Sequence, residues 1–271
     1  MVLPVSGPGA PGGVAGLPSV QVLGSRVHLP TLRQAVEILE RWITTWQPGM
    51  PCRQVVVTGF HGLWEAHCDP QLKRVLNGAE LWLPDGIAPV LIARLRGIRT
   101  ARRVPGAELM RAFCALAHRR GYRSFLLGDT EDTLAAVRRV LERRYPGHRV
   151  AGVLSPPFRP LRPAEEEQVL AAIARARPDV LWVGLGTPKQ DRWIHERRER
   201  LQVPVAIGVG AAFRFVGGQL RRAPRWVGEL GLEWLWRLVF EPRKLWRRAL
   251  WQGPRFVWHA GLELLGLRTY R

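Results

Sequence analysis

The chain has few cysteines, few acidic residues and no uncharged apolar run long enough for a membrane-spanning helix, and each shortage excludes something. Cys52, Cys68 and Cys114 are odd in number and share no C-x-x-C spacing, which argues against a disulfide framework and a zinc site. A reducing cytosol is the expected compartment. No D-x-D occurs, so the carboxylate pair that commonly clamps a metal-bound diphosphate is missing, and no metal site is expected. There is no P-loop and no G-x-S-x-G, and no turn after a core strand carries G-x-G-x-x-G. The opening residues lack a basic stretch and are broken by Pro and Gly, so residues 1–19 are expected to form a flexible leader rather than a signal peptide.

What the chain has in excess is positive charge. Lys and Arg number 41 against 22 Asp and Glu, a formal net charge of +19 over 271 residues. Such a balance favours phosphate-rich partners: nucleic acid, an anionic membrane surface or a diphosphate substrate. An arginine-rich composition without a special partner gives the same total, so the distribution matters more. From Gln219 to Arg271 there are eleven Arg and Lys, four Asp and Glu, and six of the twelve Trp. Tryptophan interleaved with arginine suits a lipid headgroup layer, where the indole sits half in hydrocarbon and the guanidinium reaches phosphate. A nucleic-acid partner is disfavoured, because this segment lies at one end of the chain behind a core whose turns suit a small ligand.

That core alternates strand and helix. Thr31 caps a helix, QVVVTGF is a buried strand ending near Thr58, and LWEAHCDPQLKRVLNGA reads as mostly helix. Strands follow at ELWLPDG, RSFLLG, RVAGVLS, DVLWVGLG and VPVAIGVG, separated by amphipathic helices, one of them closed by Gly121. The expected fold is α/β, a Rossmann-like, mostly parallel sheet with helices on both faces, spanning 20–218, followed by a helical C-terminal appendage over 219–271. Because the alternation ends before the appendage, the core is expected to fold without it.

In such sheets ligands bind beyond the carboxyl ends of the strands, which ranks the turns. Asp85 in LPDG puts a carboxylate at a strand end, although Pro-Asp-Gly is also an ordinary turn. GLGTPKQD offers Gly184 and Gly186 for close backbone approach and a following helix with free N–H groups. There Thr187, Pro188 and Gln190 also have the spacing of a capping box. Gly128 and Asp129 repeat the strand-to-helix theme, with Asp129 equally readable as a helix cap. Arg243 and Arg247 stand one helical turn apart, near Arg237.

These pieces, in this order, resemble the WecG/TagA/CpsF family of glycosyltransferases. The resemblance rests on LPDG at 83, RRVPGAEL at 102, FLLGDT at 125, DVLWVGLGTPKQDRWI at 179, AIGVGAAF at 206 and RAPRWVGELGLEWLWRLVFEPRKLWRR from Arg222. It implies an inverting, metal-independent hexosyltransferase with no cofactor, using a UDP-sugar to extend a polyprenyl-diphosphate-linked sugar for a surface polysaccharide or teichoic acid linkage. It also implies a place on the inner face of the cell membrane. Carried over by position, Asp85 is the general base, Arg103 and Gln190 belong to the site, and Arg237, Arg243 and Arg247 meet the diphosphate. Two departures stand out. The family's T-x-N positions fall on Val57 and Gly59, so either Thr58 or His61 stands in for those polar groups. The family's GGxFD is GAAFR here, with Arg214 where an aspartate is usual, which bears on sugar choice. Homo-oligomerisation is compatible with all of this. The alternative is a non-catalytic protein on the same fold that binds anionic surfaces.

Overall fold

A computed structural model describes residues 14, 16–220, 236 and 246–270, with the backbone alone at 247–249. The first elements are a short antiparallel hairpin, β1 (Ser19–Val22) and β2 (Ser25–His28), turned by Leu23 and Gly24, both at positive φ. This hairpin was not anticipated. The first long helix, α1 (Leu32–Thr45), starts on a capping box between Thr31 and Gln34. Then follow β3 (Arg53–Thr58), α2 (Phe60–Cys68), α3 (Pro70–Asn77), β4 (Leu81–Pro84), α4 (Ile87–Leu95), α5 (Gly106–Arg120), β5 (Arg123–Gly128), α6 (Glu131–Arg144) and β6 (Arg149–Leu154). The series ends with α7 (Pro163–Ala176), β7 (Val180–Gly184), α8 (Lys189–Arg197), β8 (Val205–Gly208), α9 (Ala212–Val216), a π-helical turn (Arg247–Gln252) and α10 (Gly253–Leu264).

The stretch expected as one helix before β4 is two. Pro70 pushes the preceding residue out of the helical region, and Asp69 at φ −129°, ψ 102° ends α2. The Asp69 carboxylate then caps α3 by accepting the N–H groups of Gln71 and Leu72 at 2.9 and 3.0 Å.

The six core strands lie in the order β4-β3-β8-β7-β5-β6, and every neighbouring pair is parallel. Side chains alternate between two layers. Val55, Val57, Leu126, Trp182 and Ile207 face α1, α5, α6 and α9, while Val56, Phe125, Leu181 and Ala206 face the opposite helices. Val14 and Leu17 pack against the first layer. On the second layer α10 is part of the core: Phe256 and Ala260 are buried, and the Phe256 ring lies 5.8 Å from that of Phe60 on α2. The end of the appendage thus belongs to the core, which attaches a stability cost to its removal. Among the described residues no helix is long and apolar enough to cross a membrane.

Candidate active site

Because the six strands run the same way, their carboxyl ends share one edge, where the turns marked in the sequence gather. Across the sheet they stand as the Asp85 turn after β4, the Gly59–His61 turn after β3, Gly208–Ala211 after β8, Gly184–Gln190 after β7 and Gly128–Asp129 after β5.

Asp85 is held on two sides. Its N–H donates to the Thr58 carbonyl at 3.1 Å, and its Oδ1 accepts the N–H of Gly106 at 2.9 Å. Gly106 is the first residue of α5, so the carboxylate faces the positive end of that helix. A Cβ on Gly86 would stand 3.3 Å from the Gly59 Cα, so the first two strand-end loops meet backbone to backbone. The chain before α5 returns to the end of β4, with the Val104 N–H donating to the Pro84 carbonyl at 2.9 Å. Arg103 is thereby brought to the same strand end, half-buried. With Ile87, Val90, Arg94 and Arg102 it lines a recess of about 300 Å³.

Thr58 and His61 are placed differently from each other. The Thr58 side chain is buried under α2, at a place where a side chain on Gly62 would collide with it. Val57 turns to the other layer, where a Cβ on Gly106 would lie 3.6 Å from its Cγ1. His61 Nδ1 lies 2.8 Å from Gln252 Oε1 and its Nε2 3.2 Å from Glu65 Oε1, so this ring joins α2 to the C-terminal segment.

The glycines divide into two kinds. A Cβ on Gly128 would come within 2.7 Å of the Gly184 carbonyl carbon, and one on Gly184 within 2.5 Å of the Phe213 ring. Both serve close packing. Gly186, at φ +83°, has nothing within 4 Å of that position and borders open space.

Asp129 is not the helix cap. It takes a left-handed conformation, φ +56°, and its carboxylate turns to Arg214, whose Nε donates to Oδ2 at 3.1 Å and Nη2 to Oδ1 at 3.3 Å. Thr130 caps α6 instead, its Oγ1 accepting the Thr133 N–H at 3.2 Å. The arginine that departs from the family pattern is therefore engaged within the chain.

Gln190 is fully buried, with Oε1 accepting the Gly210 N–H at 3.0 Å and Nε2 donating to Thr187 Oγ1 at 3.4 Å. The capping box does not form, because Pro188 is the cap of α8 and the Gln190 amide is spent on the β8 turn. Its neighbour Asp191 is equally enclosed, beside the Gln190 amide. Burial pushes its pKa up to about 7, and the charge of Glu65 adds to the effect. The sequence reading passed Asp191 over, although its spacing from Ile194 puts it on the buried face of α8.

Arg237 and Arg243 lie outside the described residues, and Arg247 is described only as backbone at the start of the π-helical turn.

The chain is 34% identical over 176 residues to the N-acetylglucosaminyldiphosphoundecaprenol N-acetyl-beta-D-mannosaminyltransferase of Bacillus subtilis (strain 168), covering 65% of this chain and 66% of that protein. The Bacillus spizizenii protein of the same name is 32% identical over 194 residues, 72% of this chain and 73% of its own length. That of Staphylococcus aureus (strain NCTC 8325 / PS 47) is 30% identical over 64% of this chain and 66% of its own. The chain thus spans about two thirds of the length of curated relatives it matches. The family model for the glycosyl transferase WecG/TagA/CpsF family matches residues 20–270, and the chain belongs to that family.

Proposed function

We propose that this chain is an inverting, metal-independent glycosyltransferase that moves a hexose or N-acetylhexosamine-type sugar from a UDP-sugar to a polyprenyl-diphosphate-linked sugar. The observation that carries the reading is the Asp85 carboxylate, fixed by Gly106 at the strand-end edge of a chain of this family. In the reaction the acceptor hydroxyl attacks the anomeric carbon opposite the UDP, the bond from that carbon to the diphosphate oxygen breaks, and Asp85 takes the hydroxyl proton. The open backbone at Gly186 and the turns after β8 and β7 suit a donor lying across the edge. Charge on the departing diphosphate is met by arginine, for which Arg237, Arg243 and Arg247 are the candidates, since the sequence has no D-x-D to hold a metal.

The names of the relatives support N-acetylmannosamine as the sugar and N-acetylglucosaminyl-diphosphoundecaprenol as the acceptor, and the family resemblance supports a surface polysaccharide or teichoic acid linkage as the setting. A lipid-held acceptor calls for work at the cytoplasmic face of the membrane, to which the basic, Trp-rich segment from 219 is suited. Incubation with a panel of UDP-sugars and a short-chain prenyl-diphosphate N-acetylglucosamine, read by mass spectrometry, tests the reading. One donor should add a single sugar to the acceptor. An unmodified acceptor with every donor would favour the alternative, a non-catalytic protein that binds anionic surfaces.

A further inference from the structure

From Gly86 to Ala107 the chain carries five arginines, Arg94, Arg96, Arg99, Arg102 and Arg103, and no acidic residue. Within that stretch α4 buries Val90, Ile92 and Ala93 in the core. Its other face leaves Leu91 and Leu95 in solvent, 47% and 74% exposed. The next residue, Arg96, pairs with Glu263 of α10 at 3.3 Å, which ties the end of α4 to the end of α10. Just beyond Glu263, Leu265 and Leu267 are likewise exposed. A single exposed leucine is ordinary. Two of them on α4 and two just past the end of α10, elements joined by one ion pair, among arginines, make an apolar patch with a cationic rim.

We propose that this face, formed by α4 and the end of α10, rests on an anionic lipid bilayer. The inference rests on the reading of the acceptor as lipid-linked, and it extends the membrane-facing surface from the Trp-rich segment, in which α10 lies, to α4. Charge selects the occupant. Leucine side chains enter the acyl boundary while arginines at the rim reach lipid phosphates. A second copy of the same face would instead set like charges against one another.

Sedimentation of the full chain with vesicles tests this, using phosphatidylglycerol mixed with phosphatidylcholine and, separately, phosphatidylcholine alone. Leu91→Ser/Leu95→Ser should bind the anionic vesicles about tenfold more weakly than wild type. Arg99→Gln should flatten the loss of binding with added salt. Transfer to a water-soluble short-chain acceptor should be unchanged in the double variant, whereas transfer to a long-chain acceptor in vesicles should fall by a similar factor. Wild-type vesicle binding by the double variant would overturn the proposal. So would a wild-type dimer in sedimentation velocity that the double variant converts to monomer. If wild-type protein transfers no sugar from any donor yet binds vesicles through these leucines, the transferase reading fails and the surface stands.

Discussion

The Oδ1 of Asp85 accepts the N–H of Gly106 at 2.9 Å, so a carboxylate at the end of β4 is held by the first residue of α5, a helix on the far layer from α4. The two residues lie 21 positions apart, and the segment between them returns to the end of β4 before α5 begins. Orientation of the proposed base therefore depends on sheet, turn and helix together.

Gln190 is the clearest test of whether a motif residue of the β7 turn has a structural duty. Replacing it with Leu strips the Gly210 N–H of its acceptor while leaving the site apolar, which should cost about 1–3 kcal/mol in urea unfolding. A variant as stable as wild type would show that the Gly210 turn does not depend on it.

Asp191 gives a pH signature of its own. Burial raises its carboxyl from 3.8 to about 7, so between those values the folded chain holds a proton that the unfolded chain has lost, and stability falls as pH rises from about 4 to 7 and levels off above. Asp191→Asn cannot ionise, and from pH 5 to 8 it should gain on wild type by about 2–3 kcal/mol, since one proton separates the states over roughly two pH units at about 1.4 kcal/mol each. His28 and His148, both lowered to about 4 by burial, take stability away as pH falls from 6.5 toward 4. They are common to both proteins and cancel in the comparison. Parallel stability curves for the two proteins would contradict the assignment.

Removal of the segment after Gly218 tests the place of α10. The truncated chain loses buried Phe256 and Ala260 and bares the α2 surface they cover. Loss of one aromatic anchor and its neighbours, about 3 kcal/mol, should lower Tm by roughly 10 °C. An unchanged Tm would mean that the core folds as well without the segment.

Metal independence is a separate matter. Transfer should persist at full rate in excess EDTA, because arginines rather than a divalent ion are proposed to meet the diphosphate. A strict requirement for Mg²⁺ or Mn²⁺ would contradict that part of the mechanism.

The parallel core was legible because its signals are local: β-branched runs of strand length, amphipathic helices, the Thr31 box and the left-handed Gly121 each act within a few residues. The hairpin at β1 and β2 was missed, although SVQVLGSRVH alternates around a Leu-Gly turn, because its strands are only four residues long and give little periodic signal. In the site, the strand-end turns could be placed from order alone. Their partners could not. Asp129 with Arg214 and His61 with Gln252 join residues 85 and 191 positions apart, and the capping-box spacing at Thr187 gave no hint that the Gln190 amide turns to Gly210. Local spacing offers a side chain a nearby partner, as Thr187 is to Gln190 and Glu65 to His61, and tertiary packing adds a second that spacing does not show.

The most direct test of the account is the rate of sugar transfer by Asp85→Asn, measured beside UDP affinity in the same preparation. Asparagine keeps an acceptor for the Gly106 N–H and removes the proton acceptor, so the fold and the donor affinity should hold while turnover falls by about 10²-fold or more. Transfer by Asp85→Asn at the wild-type rate, with UDP bound equally well, would contradict the account at its centre.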